Sequence, residues 1–318
     1  LSDRVLVTGG AGFIGSHVCE QLRAKGRAVT VLDDLSTGFA SNLEGLDVEL
    51  VRGSVLDESA LHTAMRGVNK IVHLAALPSV ARSVEEPLAT HHACATGTLM
   101  VLRAARAAGA RVVYGASSSA YGDQASKQKH EGLREDPLSP YAAAKFAGEL
   151  YCRSFARVYG MSIVVTRFFN VFGPRQSANN AYAGVVAAFC RALLCSEPPR
   201  INGDGLQSRD FTYVEDVVAG VLQCLDGTST GCETVNLAYG QACTVRELYE
   251  QLAAAARQRL PSVQIAPPVH VPPRVGDVRH SLADTTRARQ LFGFDPRIGF
   301  REGLLRTFDW YRGRTRKQ

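Results

Sequence analysis

The sequence predicts an α/β fold, a doubly wound parallel sheet carrying a smaller, loop-rich C-terminal lobe. Three observations lead there: β-branched runs alternate with helical patterns through the first half, a glycine-rich turn follows the first run directly, and the texture changes after Asn170. Parallel strands need crossover connections, so this alternation places helices on both faces of the sheet.

Strand patterns occupy residues 5–8, 28–32, 48–51, 70–74, 111–114 and 162–168. Helical spacing fills the gaps, with one helix over 96–108 stopping near Gly109 and another over 141–159 stopping at Gly160. Glycine ends helices readily because it enters the left-handed region without a Cβ clash. Beyond Asn170, Gly173, Pro174, Asn179, Asn180, Pro198 and Pro199, then 202–205 and 267–273, punctuate shorter elements. A further strand pattern at 235–238 reads as a return to the main sheet. The expected organisation is a first domain over 1–168, rejoined by 211–240, and a second lobe over 169–318.

Composition sets the outer bounds. The 318 residues are 46% hydrophobic and 21% charged, the proportions of a soluble globular protein with a large core. The longest apolar runs, 163–166 and 185–189, fall far short of the roughly 20 residues a membrane span needs. The strand pattern starts at once, with no charged and apolar leader ahead of it, so a cytoplasmic location is expected. Eight cysteines without a C-x-x-C pair read as reduced structural thiols, and no metal site is expected. Part of the net charge of +6 sits in a basic tail, Arg312, Arg314, Arg316 and Lys317, which reads as a solvated end and not a nucleic-acid patch.

Directly after the first strand stands Thr8-Gly9-Gly10-Ala11-Gly12-Phe13-Ile14-Gly15, opening a helix through Val18 and Leu22. A side chain at Gly9 obstructs the tight turn, one at Gly12 blocks approach to a pyrophosphate, and one at Gly15 hinders helix packing. The helix N-terminus then faces the anion. Asp33, at the end of the second strand, accepts ribose hydroxyls and repels a 2′-phosphate, so the expected cofactor is NAD and not NADP.

Tyr141 and Lys145 lie four apart at a helix start behind Pro140, on one face. At about 5 Å and an effective dielectric of about 20, a lysine ammonium favours the tyrosine phenolate by about 3 kcal/mol, which makes Tyr141 a hydroxyl base. Ser117-Ser118-Ser119 precede them at the end of a sheet strand, where such folds place chemistry.

This set resembles the Ser, Tyr, Lys triad of the short-chain dehydrogenases, and the match extends through the T-G-x-x-G-x-x-G turn, His73-Leu74-Ala75-Ala76 and Arg167-Phe168-Phe169-Asn170. Over nearly the whole chain the sequence is similar to extended members of that group, and most of all to bacterial UDP-N-acetylglucosamine 4-epimerases. The stretches that carry it include Leu77-Pro78-Ser79-Val80-Ala81-Arg82-Ser83, Asn202-Gly203-Asp204-Gly205, Ser208-Arg209-Asp210-Phe211 and Gly276-Asp277-Val278-Arg279-His280-Ser281. The resemblance implies a Rossmann-type NAD domain, a UDP-sugar partner and a homodimer pairing through the helices at 96–108 and 141–159. Counting back from Tyr121-Gly122 puts the family's catalytic serine on Ser117, with Ser118 the alternative.

Carried over by motif, the NAD contacts are Gly9, Gly12, Phe13, Ile14, Gly15, Asp33, Ser36, Gly38, Ser54, Val55, Leu74, Ala75, Ala76, Tyr141, Lys145 and Phe168. Asn170, Asn202, Arg209, Arg274 and Asp277 would hold UDP, with Ser79 and Ser118 near the sugar. Ser281 falls where epimerases restricted to plain hexoses carry Tyr, so the resemblance implies room for an N-acetyl group. Two positions depart from the family: Ser54 stands for Asp and Cys94 for Asn. Other readings of Asp277 and Ser281 are a surface pair with Arg274 and a small exposed residue.

Three other functions compete. A 4,6-dehydratase needs a carboxylate pair beside the catalytic hydroxyl, where this chain has Ser118 and Ser119. A UDP-glucuronate 4-epimerase wants an arginine for the sugar carboxylate, a role open to Arg175 or Arg191. A non-catalytic NAD-sensing protein on the same fold is the third, against which the intact Tyr141 and Lys145 speak.

Overall fold

The computed structural model describes residues 3–126, 128–178, 183–261, 264–273 and 277–315. Its first strands are β1 (Arg4–Thr8), β2 (Ala28–Asp33), β3 (Glu49–Arg52), β4 (Lys70–His73), β5 (Arg111–Ser117) and β6 (Ile163–Phe168). They match the sequence pattern closely at every boundary but one. β5 continues past Tyr114 because Gly115, Ala116 and Ser117 pair in register with Thr166, Arg167 and Phe168 of β6. There follow β7 (Asn170–Phe172), β8 (Arg200–Asn202), β9 (Ser208–Tyr213), β10 (Cys232–Leu237), β11 (Ala242–Thr244), β12 (Val269–Val271) and β13 (His280–Ser281).

Among the described residues one seven-stranded sheet runs in the order β10-β6-β5-β4-β1-β2-β3, every pair parallel. Chain order reverses between β1 and β4, and at such a switch a crevice opens beyond the strands' C-terminal ends. Thr8, Asp33, His73, Ser117 and Phe168 close their strands on that edge.

The helices are α1 (Phe13–Ala24), α2 (Glu58–Ala64), α3 (Val80–Glu85), α4 (Pro87–His91), α5 (Gly97–Ala108), α6 (Pro140–Tyr159), α7 (Val185–Leu194), α8 (Val214–Asp226), α9 (Val245–Arg259), α10 (Thr286–Phe292) and α11 (Phe300–Thr315). Ser139 caps α6, its hydroxyl accepting the Ala142 N–H at 3.2 Å, and Gly160 ends it at φ +67°. The helix expected over 96–108 is longer than its pattern. A π turn, His92–Thr96, joins α5 to α4, where Pro87 presets the first helical φ.

Strand alternation divides the core. Val5, Val7, Val29 and Val31 pack against Val18 and Leu22 of α1 and Val217 and Val221 of α8. Leu6, Leu32, Ile71 and Val112 face the other way, onto Val101 and Leu102 of α5 and Cys152 of α6. Both faces are covered, which is why these strands read as continuous apolar runs. A second core of Phe172, Phe189, Phe211, Leu248, Leu252 and Phe308 gathers α7, α9 and α11 around β9. The chain leaves the main sheet at β7, returns through α8 and β10, and leaves again at β11, so contacts far apart in sequence join the two cores. Among the described residues no helix is long and apolar enough to cross a membrane. The cysteines are free, and Cys19, Cys94, Cys152, Cys190 and Cys224 are buried.

Candidate active site

The glycine turn is built by close approach. Gly9 has φ +69°, and a Cβ there would lie 2.8 Å from the Ala75 nitrogen. At Gly15 a Cβ would sit 2.1 Å from the Gly9 carbonyl oxygen, so the third glycine seats α1 on the turn itself. A Cβ at Gly12 would meet only the Gly9 oxygen, at 3.1 Å. Gly12 brings no side chain to cap α1, so no cap engages the first-turn N–H groups of Phe13 and Ile14. Helix N-terminal N–H groups without a cap, beside a glycine turn, are suited to an anion.

Asp33 ends β2 beside the turn, its carboxylate accepting the Ala11 N–H at 2.9 Å and the Leu35 N–H at 2.8 Å. Burial raises its carboxyl above the usual range, opposed by those two bonds. Other expected cofactor positions have work within the chain. Gly38 abuts Ala11, where a Cβ would come within 2.8 Å of its carbonyl carbon. The Ser36 hydroxyl donates to Asp34, the Ser54 hydroxyl accepts from the Leu56 N–H, and Val55 packs over Gly97. Leu74 and Ala75 donate their N–H groups to the Thr8 hydroxyl, and Ala76, which follows them, is half-buried.

Ser117 and Tyr141 come together where β5 ends and α6 begins, and Lys145 follows one helical turn along α6. Ser117 lies near enough to Tyr141 to favour its phenolate, and its hydroxyl accepts from the Ser119 hydroxyl at 2.8 Å. Of the two candidate serines, Ser117 is the one whose hydroxyl acts on the Tyr141 phenol. Phe168 is its register partner on β6, and Asn170 opens β7 two residues later.

The electrostatics correct the expectation from sequence. Burial pushes the Tyr141 phenol well above its ordinary value, with Cys94 adding to the rise and the Ser117 hydrogen bond opposing it. The lysine Nζ lies over the Tyr114 ring, 4.4 Å from the centroid, and burial holds the ammonium below the usual lysine range. Spacing along a helix places two side chains on one face but does not direct the end of a long one.

Sequence reasoning missed the groups beneath this pair. Arg167 is fully buried, donating Nε to both Glu149 oxygens at 3.1 Å and Nη2 to Glu149 at 2.7 Å and Glu135 at 2.6 Å. It locks α6 to β6, fixing the helix that carries Tyr141 and Lys145. His73, like Arg167 quoted in a motif but given no task, is buried between Thr8 and Thr98. No local pattern announces either group, because each depends on partners from distant segments.

The second lobe brings Arg209, Asp277 and Ser281 together. Arg209, nearly buried on β9, donates to the Asp277 carboxylate at 2.6 Å and to the Arg279 carbonyl at 3.2 Å. Ser281 on β13 pairs in register with Arg209 and is 5% exposed, which overturns the reading of a small surface residue. Asp210, next to Arg209, accepts the N–H groups of Tyr239, Gly240 and Ala283, tying β9 to the segment after Ser281. Asn202 ends β8, its carbonyl accepting from Gln207 at 2.8 Å. The Ser79 hydroxyl caps α3 through the Arg82 N–H, and Ser118 opens the short turn after β5. Arg274 lies outside the described residues.

Neither arginine considered for a uronate is turned to the triad. Arg175, at φ +67°, pairs with Glu20 of α1 at 2.8 Å, and Arg191 pairs with Glu197 at the surface. Among the described residues no group of three or more His, Cys, Asp or Glu is placed to hold a metal ion.

A parallel sheet with a glycine turn at its switch point and a Ser, Tyr, Lys cluster beside it defines a nucleotide-dependent enzyme of the short-chain dehydrogenase type. The chain belongs to the NAD dependent epimerase/dehydratase family, whose sequence profile matches residues 5–238. It is 37% identical to a UDP-glucose 4-epimerase of Mycolicibacterium smegmatis, over 98% of this chain and 99% of that one. A UDP-glucose 4-epimerase of Thermotoga maritima, solved with UDP-glucose, superposes with a TM-score of 0.92 at 35% identity, covering 98% of this chain and 99% of the other. A UDP-N-acetylglucosamine 4-epimerase of Methanobrevibacter ruminantium, solved with UDP-N-acetylmuramic acid, gives 0.90 at 34%, covering 99% and 100%.

Proposed function

We propose that the chain is a UDP-hexose 4-epimerase that interconverts UDP-GlcNAc with UDP-GalNAc and UDP-Glc with UDP-Gal. The carrying observation is the placement of Ser117, at the end of β5, beside the start of α6 that bears Tyr141 and Lys145, on the sheet edge that also holds the glycine turn. In this reading Gly9, Gly12, Gly15 and the α1 N-terminus hold the pyrophosphate of NAD, Asp33 its ribose, and Phe168 lies beside the nicotinamide. Bound NAD supplies the acceptor, and then the donor, of the hydride at C4 of the sugar. Tyr141 takes the proton of the 4-hydroxyl, Ser117 holds that oxygen, and Lys145 supplies positive charge. Asn170, Asn202, Arg209 and Asp277 grip UDP while the 4-keto sugar turns over between the two half-reactions.

Ser281 supports the acetamido substrates. A tyrosine at this buried position would add a ring beside Arg209, with overpacking on the order of 1–3 kcal/mol against a larger sugar. Purified protein is therefore expected to epimerise the GlcNAc and Glc forms, and Ser281→Tyr to lose the former while sparing the latter. A folded Ser281→Tyr protein that keeps full activity on UDP-GlcNAc removes this assignment. Activity on UDP-glucuronate alone favours the uronate reading, and NAD binding with no turnover of any UDP-hexose favours a sensor.

Assembly as a homodimer belongs to the same proposal. On α6, Leu150, Tyr151, Val158 and Tyr159 leave an apolar patch at the surface. Light scattering should give twice the mass of the 318-residue chain, and Leu150→Arg should shift the protein to monomer; an unaltered mass in the variant places the interface elsewhere.

A further inference from the structure

A chain of buried polar groups runs from the glycine turn to the catalytic helix through His73. Thr8, His73, Thr98 and Tyr114 are each at most 1% exposed, and Lys145 is 3% exposed. His73 Nδ1 lies 2.7 Å from the Thr8 hydroxyl and Nε2 lies 3.0 Å from the Thr98 hydroxyl. The imidazole stacks on Tyr114, centroids 5.6 Å apart at 28°. The same ring also carries the Lys145 ammonium at 4.4 Å, and the Tyr114 hydroxyl donates to the Lys145 carbonyl at 3.1 Å. Gly148 makes the last contact possible, since a Cβ there would lie 2.4 Å from the Tyr114 oxygen.

The protons can be accounted for one by one. Thr8 Oγ1 accepts the N–H groups of Leu74 and Ala75, so its single proton goes to His73 Nδ1. The Thr98 hydroxyl spends its proton on the Cys94 carbonyl, 2.6 Å away in the π turn. His73 Nε2 must therefore donate to Thr98, which fixes a neutral imidazole with its proton on Nε2. Burial and the nearby Lys145 charge act in the same direction, lowering the His73 pKa to about 3.

We propose that His73 is a positioning residue for Lys145: through Thr98 and Tyr114 it sets where the ammonium lies, and through Thr8 it links that position to the cofactor turn. The inference rests on the reading of Tyr141 and Lys145 as the catalytic pair. The titratable groups around the stack are Lys145, Glu149 and Cys152 of α6, Cys94 of the π turn and Tyr114 itself, while Tyr141 faces Cys94 and Ser117.

The test compares NAD-loaded wild type with Thr98→Val, Thr98→Ser, His73→Leu and the double variant His73→Leu/Thr98→Val. Valine keeps the shape of threonine but leaves the Nε2 proton without an acceptor. Thr98→Val is expected to lower kcat about tenfold or more, with the KM for UDP-sugar within about twofold. The acidic limb of its kcat profile should shift as well, because moving the ammonium from its place over Tyr114 changes the charge that the catalytic pair feels. Thr98→Ser should restore both, and the double variant should be no worse than either single, as expected for members of one chain. A folded Thr98→Val protein with wild-type kcat and pH profile overturns the proposal, as do losses that multiply in the double variant. Should His73→Leu not fold, the Thr98 pair alone decides. Tyr141→Phe and Lys145→Ala run in the same assay separate the two levels: if these retain wild-type turnover, the catalytic pair is wrong, and if they fail while Thr98→Val does not, only the positioning chain is wrong.

Discussion

Asp33 has two tasks at the residue scale. Its carboxylate holds the backbone of Ala11 in the glycine turn and of Leu35 beyond β2, and in the proposed function it also takes the ribose of NAD. Hydrogen bonds to a charged group contribute about 1.5–3 kcal/mol each, so Asp33→Ala should weaken NAD binding by about tenfold to a hundredfold. Discrimination against NADP should relax as well, because the repelling charge is gone; an unchanged NAD to NADP affinity ratio, measured by calorimetry, removes Asp33 from the ribose site. The glycine turn and Asp33 were legible because their constraints are local: a φ of +69° at Gly9 and a strand end at Asp33 are written in consecutive residues. The Tyr114–Lys145 stack was not legible, since it depends on β5 and α6 meeting face to face. For the same reason the expectation of a lysine-lowered Tyr141 failed in direction.

At the scale of elements, α6 is the part on which the site turns. Its start was legible from Pro140 and its end from Gly160, and the structure adds Ser139 as the cap. What holds it in register was hidden. Glu149, one turn beyond Lys145, is fully buried against Arg167 of β6, and removing one partner of a buried pair leaves the other charge without compensation. Glu149→Ala should destabilise the protein by about 3–5 kcal/mol, readable in urea denaturation. A loss below about 1 kcal/mol would mean that Arg167 finds its balance in Glu135 alone. The π turn between α4 and α5 also escaped sequence reading, because π and α turns share the same apolar spacing over so short a stretch.

Across the whole molecule, the proposed site is an arrangement between two cores. Ser117 ends a strand of the large sheet and Tyr141 and Lys145 stand on α6 packed against it, Arg209 and Ser281 belong to the small sheet, and the chain crosses between them at β7, β10 and β11. The change of texture after Asn170 was legible, and so was a strand returning near 235–238, observed as β10. The pairing of β9 with β7, β11 and β13 was not, since those short strands carry too few residues to show a period. That pairing is what sets Ser281 beside Arg209 and joins the Arg209 guanidinium to Asp277.

Return of the same hydride to the same carbon is the property that separates an epimerase from a dehydrogenase built on this fold. The direct measurement follows UDP-GlcNAc carrying deuterium at C4 through many turnovers by NMR, with absorbance of reduced cofactor read in parallel. The account predicts that both C4 epimers appear, that deuterium stays at C4 in each, and that reduced cofactor never exceeds the enzyme present. Accumulation of one NADH per sugar consumed, or loss of deuterium from C4 without a second epimer, would contradict it.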